Sequence, residues 1–176
     1  MRVHLQGFSL IELLVVVVII VIFLAMSIPS EKIFVDKSQQ EVMSQQFLRA
    51  IYLARSESIT LNENVTLCKS NDLKNCVGDW LQGYIIKTND RLLMHYQNVT
   101  SQGIIHWRSF PNGKDSLTFF PSGMTDIQNG TFWYCRSSLT KASWAIVISQ
   151  SGRARLELPD ASGVIVDSSG AELSCA

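Results

Sequence analysis

Apolar residues run almost unbroken from Phe8 to Ile28, interrupted by Ser9, Glu12 and Ser27 alone. These 21 residues would span about 31 Å as a helix, enough to cross a bilayer core. Pro29 follows; it lacks a backbone donor and disfavours helical geometry in the residue before it, so a kink is expected there. From Ser30 to Thr60 the pattern changes to steps of three and four. Met43, Phe47, Ala50, Ile51, Ala54 and Ser58 fall on one stripe, with Gln45, Gln46, Arg49, Arg55 and Glu57 between them. This spacing predicts an amphipathic helix with one face for a core. After Asn62 the texture turns to short β-rich runs between turn signals. Strands are predicted at Val65–Lys69, Gly83–Lys87, Leu92–Tyr96, Ile104–Trp107, Leu117–Phe120, Thr131–Tyr134, Trp144–Ser149 and Arg153–Leu158. Turns are predicted at Asn89-Asp90, Pro111-Asn112-Gly113, Pro121-Ser122-Gly123, Asn129-Gly130 and Ser151-Gly152. One long N-terminal helix, membrane half then amphipathic half, followed by an antiparallel β domain is an α+β arrangement.

The chain has 176 residues, leaving about 140 beyond the apolar run for one domain with its own core. Formal net charge is zero, so polyanion binding, if present, must come from a local patch. The four cysteines, Cys68, Cys76, Cys135 and Cys175, all lie past the apolar run and suit two disulfides in an oxidising compartment. Three pairings are open; Cys68–Cys76, a short loop, and Cys135–Cys175, which pins the C-terminal segment, are favoured. A zinc site competes with this reading, but there is no Cys-x-x-Cys, and His95 and His106 have no ligand spacing. No Ser/His/Asp order and no glycine-rich phosphate loop stands out, so neither an enzyme nor a cofactor is expected.

Glu12 sets the first functional question. A carboxylate deep in an apolar segment costs a few kcal/mol and normally has a partner. A plain anchor, or a cleaved secretory signal ending at Ala25-Met26-Ser27, has no use for it. The stretch QGFSLIELLVVVVIIVIFLAMSIP resembles the class III leader of type IV pilins and type II secretion pseudopilins. The resemblance implies that a prepilin peptidase cuts between Gly7 and Phe8, and that Phe8 becomes N-methylated. It implies that Glu12, fifth in the mature chain, compensates the N-terminal amine of a neighbouring subunit. A buried charge needs such a partner.

The later chain resembles the FimT/GspH family of minor pilins and pseudopilins. The residues that carry this are FLRAIYLARSESITLNENVTLC, Trp80–Gly83, LTFFPSG, TFWYC and AIVISQSGRARL, in that order. Family members fold as a long helix packed on two β-sheets. The implied organisation is a leader at 1–7, a transmembrane and assembly helix at 8–29, an amphipathic helix at 30–61 and a β-rich domain at 62–176.

The sharpest chemical signal is SGRARLE. Residues two apart on a strand share a face, so Arg153 and Arg155 would point the same way, about 6.6 Å apart. Guanidinium forks suit phosphate oxygens. Gly152 permits a tight turn or a close backbone approach. Arg136 and Lys141 lie in the loop before the preceding strand, and from Arg136 to Leu158 four basic residues face one acid, Glu157. The plainer reading is a solvated strand face, with Glu157 pairing one arginine. Trp144 and His106 read as strand residues rather than ligands. Asp160, Asp167 and Glu172 would oppose a polyanion if they lay beside the arginines. The resemblance implies more: in FimT-like minor pilins a Gly-Arg-x-Arg motif near the C-terminus binds DNA, and Gly152, Arg153 and Arg155 match it. The expected function is thus a minor pilin that binds extracellular double-stranded DNA for natural transformation. Its expected partners are other pilins, prepilin peptidase and the inner membrane, and its place is that membrane before assembly and the pilus after it. The alternative is a GspH-like structural subunit of a pilus or type II secretion system without DNA binding.

Overall fold

Neither glycine nor proline interrupts residues 31–61, and one helix forms over that stretch. The computed structural model describes residues 9–26, 31–97, 102–137, 139–167 and 170–175. The chain divides into two compact units, Met1–Gln39 and Gln40–Ala176.

In the first unit, α1 (Leu10–Met26) is 17 residues long and apolar, with Glu12 in its first turn. Ser9 caps it: the Glu12 amide donates to Ser9 Oγ at 3.2 Å. Ser9 and Glu12 thus hold the spacing of a capping box. The large side chains from Leu10 to Leu24 are all exposed. Among the described residues no helix is long and apolar enough to cross a membrane. The ends of the expected span, Phe8 and Ser27–Ile28, and the kink expected at Pro29 lie outside the described residues.

The helix α2 (Glu31–Leu61) ends where Asn62 takes a left-handed backbone, φ 54°. From Gln40 on it belongs to the second unit. Its apolar stripe is buried there: Phe47, Ala50, Ile51, Ala54 and Ser58 have no exposed surface, and Met43 has little. Buried Ser58 returns its hydroxyl to the Arg55 carbonyl at 2.7 Å.

Among the described residues eight strands follow in two antiparallel sheets: β1 (Val65–Lys69), β2 (Gly83–Lys87), β3 (Leu92–Gln97), β4 (Ile104–Phe110), β5 (Ser116–Phe119), β6 (Asn129–Cys135), β7 (Trp144–Ile148) and β8 (Ala154–Glu157). One sheet has the order β3-β2-β1-β5 and the other β4-β6-β7-β8. The core lies between α2 and both sheets, around Phe47. Its ring meets Tyr84 edge-on at 4.8 Å and Phe132 at 4.9 Å, so a single helix residue joins the two sheets. All eight predicted strands are present. One predicted turn is not: Asn129-Gly130 opens β6. Gly130 is extended, and a Cβ there would lie 2.4 Å from the Arg108 carbonyl and 2.5 Å from the Trp107 ring. The glycine serves close packing of β4 on β6, not a reversal.

Two disulfides, Cys68–Cys76 and Cys135–Cys175, close loops of 8 and 40 residues. The second fixes the C-terminal segment over the outer face of the β4-β6-β7-β8 sheet. Ile165 and Leu173 pack there on Ala142 and Ala145, beside Trp133.

Candidate nucleic-acid interface

Strands β7 and β8 form a hairpin, with β8 at the sheet edge. The turn closes through the Gly152 amide on the Ser149 carbonyl and the Ser149 amide on the Arg153 carbonyl, both 2.9 Å. Gly152 has φ +76°, and a Cβ there would lie 2.0 Å from the Gly123 carbonyl. Only glycine fits both conditions. Arg153, immediately before β8, and Arg155, within it, are exposed, while Ala154 between them is buried. Strand alternation thus turns both guanidinium groups outward. Arg155 Nε lies 2.7 Å from Glu157 Oε1 on the same face. For Arg153 no ion pair is present among the described residues.

A cleft of about 650 Å³ opens beside this edge. Arg155 lines it from β8 and Arg153 from just before that strand, Thr131 and Val147 from the sheet face, and Tyr52 and Arg55 from α2. Tyr52 donates its hydroxyl to the Ala154 carbonyl. Arg55 donates its Nε–H to the Gly123 carbonyl at 2.9 Å. The cleft thus holds three arginines, from two elements separated by about a hundred residues of chain. Arg55 escaped the sequence reading as a site residue. Its one signal was to be a cation next to the buried Ala54 on the helix stripe.

The structure does not bring Arg136 and Lys141 to this cleft. Arg155 is level with Val147, while β7 begins three residues away at Trp144, opposite Tyr134, about 10 Å along the strand. Arg136 and Lys141 lie beyond that end. Lys141 reaches the Ser162 carbonyl at 3.3 Å. The Asp160 carboxyl beside it is held below the usual carboxylate range, first by the Ser162 hydroxyl, then by the Val164 and Ser162 amides, and lastly by Lys141. Of the acids in the C-terminal segment, Asp167 pairs with Arg108, itself 5.6 Å from the Trp133 ring centre; Arg108 stands opposite Thr131, which lines the cleft. Trp144 is core, 1% exposed. His106 stacks on Trp133 at 5.0 Å. Gly7 and Phe8, the expected processing site, lie outside the described residues. Among the described residues no cluster of His, Cys, Asp and Glu is arranged to hold a metal ion.

Comparison with known families decides the class. Residues 43–152, more than half of the chain, match the family described as Type II transport protein GspH. The chain belongs to the GspH family. Residues 5–28 match the prokaryotic N-terminal methylation motif, which includes Gly7, Phe8 and Glu12. The GspH match ends at Gly152, so Arg153 and Arg155 fall just beyond it. No curated protein matches the sequence. Among solved structures, the type IV minor pilin FimU of Pseudomonas aeruginosa aligns with a TM-score of 0.56 at 20% identity, over 70% of this chain and 92% of that one. A second crystal form of FimU gives 0.52 at 21%, over 66% and 91%. The minor pseudopilin EpsH of the type 2 secretion system of Vibrio cholerae gives 0.46 at 13%, over 68% and 96%. The FimU likeness shows that this GspH-family chain has the fold of a minor pilin: helix, then two antiparallel sheets.

Proposed function

We propose that this chain is a FimT-type minor pilin that captures double-stranded DNA for natural transformation, without regard to sequence. One observation carries the reading: Arg153 and Arg155 point outward from an edge strand into an open cleft that a third arginine also lines. Such a surface offers guanidinium forks to phosphates and no helix to a groove, so contacts go to the backbone. The N-terminal part follows the methylation motif. Prepilin peptidase cuts between Gly7 and Phe8, Phe8 is methylated, and Glu12 meets the new amine of a neighbouring subunit. The helix α1, apolar but for Glu12, resides in the inner membrane first and among other pilins afterwards, because its bare side chains need a cover.

A second reading has its own support. Gly152 is required by packing against Gly123, and Arg155 is paired with Glu157. Both features also suit a structural subunit whose partners are pilins alone.

The deciding measurement is binding of the full chain, in zwitterionic detergent micelles, to unrelated duplexes between 50 and 200 mM salt. Three phosphate contacts give a log–log slope of about −2.7, at roughly −0.9 each. The variant Arg153→Gln, Arg155→Gln should fold normally and lose about 1.8 of that slope. Arg136→Gln, Lys141→Gln should change it little. Absence of wild-type binding at 50 mM salt would put the structural subunit in its place.

A further inference from the structure

Three pieces of chain meet at Arg55. Its Nε–H donates to the Gly123 carbonyl at 2.9 Å. That carbonyl is the atom against which Gly152 is pressed, and Arg55 Nε itself would lie 3.0 Å from a Cβ at Gly152. The turn carrying Gly123 is stitched to the β7–β8 turn next door: Thr125 donates its amide to the Gln150 carbonyl at 3.1 Å and its hydroxyl to the same atom at 3.2 Å. Arg55 therefore stands at the junction of α2 and the two turns that shape the cleft.

A guanidinium has five donors. Nε accounts for one here, and Arg55 lines the same cleft as Arg153 and Arg155. Among the described residues no carboxylate pairs with Arg55. An arginine in this position is useful for an anion. Its helix anchors one end and a hydrogen bond fixes Nε, so little side-chain freedom remains to be lost on binding.

We propose that Arg55 is a direct phosphate ligand of this cleft. The binding site is then a three-arginine cradle, built jointly by the helix and the edge strand, whose ligand is the phosphodiester backbone of duplex DNA. The inference rests on the DNA reading above and adds a residue that lies about a hundred positions away from the Gly-Arg-x-Arg stretch. It also gives Gly152 a part in the site: the missing Cβ is what lets the β7–β8 turn sit against the Gly123 carbonyl and Arg55.

The test uses the wild-type full chain in detergent micelles, so that no variant need fold. Arginines are modified with butanedione, with and without a 30-base-pair duplex at 50 mM salt, and read out by peptide mass. DNA should slow modification of Arg55, Arg153 and Arg155 severalfold and leave the exposed Arg91 unchanged. Protection of Arg153 and Arg155 without Arg55, or an Arg55 that is unreactive in the free chain, overturns the three-arginine cradle and leaves DNA binding standing. No protection at any arginine, with no shift of the duplex, removes both. The salt slope provides a second reading. Arg55→Gln should lower it by about 0.9, with roughly tenfold weaker binding at 50 mM salt, while Arg55→Lys, which keeps the charge, should hold the slope. A folded Arg55→Gln with the wild-type slope also overturns the proposal.

Discussion

At the scale of single residues, Glu157 restrains the cleft. Its carboxylate holds Arg155 Nε at 2.7 Å on the face where a phosphate would approach. Both groups are well solvated, so the pair is worth about 0.2–1 kcal/mol. A phosphate must displace that acid and also feels its charge. Glu157→Gln should therefore tighten duplex binding about twofold to fivefold at 50 mM salt, and less at 200 mM, where screening shortens its reach. Anisotropy titrations at both salts check this; unchanged affinity would mean that Arg155 does not touch DNA. The exposure of Arg153 and Arg155 was legible in the sequence, because alternation on a strand needs no tertiary information. The demand for glycine at position 152 was legible as a type, but its cause was not. The neighbour that excludes a Cβ is Gly123, and only the fold brings the two together.

Elements were the most readable level. The stripe from Met43 to Ser58 is what a helix needs to face a core, and those residues are buried. All eight strands were visible as β-rich runs, with boundaries moved by up to three residues. Asn129-Gly130 misled because the pair favours turns locally, while packing against Trp107 asks for a strand glycine there. Arg55 was invisible as a site residue for a related reason: its hydrogen-bond partner is 68 positions away. One element-scale feature sets a pH dependence. On β4, His106 stacks on Trp133, and its buried Nε2 has no hydrogen-bond partner among the described residues. Burial lowers its pKa from the ordinary 6.5, opposed by the charge of Asp79. The folded chain then takes up this proton less readily than the unfolded one. The contribution is intact above pH 6.5 and is lost as pH falls from there toward the lowered folded value. His106→Phe keeps a ring on Trp133 and removes the proton. Thermal midpoints at pH 7 and pH 5 should fall further for the wild type than for this variant; equal falls would mean that His106 is not the sensor.

For the whole molecule, the outer face of the β4-β6-β7-β8 sheet is shared between two tasks. The C-terminal segment covers the part around Trp133 and Ala145, tied by Cys135–Cys175 and by Asp167 on Arg108. The arginine cleft occupies the part around Val147 and Thr131. This division keeps Asp160 beside Lys141, beyond the end of β7, and ties Asp167 to Arg108, which stands in one cross-strand row with Thr131, Val147 and Arg155. The sequence left that question open, because nothing along the chain says which part of a sheet a trailing segment will cover. The division predicts that stability and DNA binding separate. In the chain-entropy account, the 40-residue loop of Cys135–Cys175 contributes about 4 kcal/mol and the 8-residue loop of Cys68–Cys76 about 2.5 kcal/mol. Cys135→Ser, Cys175→Ser should thus lower the denaturant midpoint more than Cys68→Ser, Cys76→Ser does. It also loosens Ile165 and Leu173 from Ala142 and Ala145. Under conditions where it is still folded, duplex affinity at 50 mM salt should stay within about threefold of the wild type, since the phosphate contacts are made elsewhere. A gain well beyond that would mean that the segment shields part of the binding surface, with Arg108, freed from Asp167, as the first residue to examine.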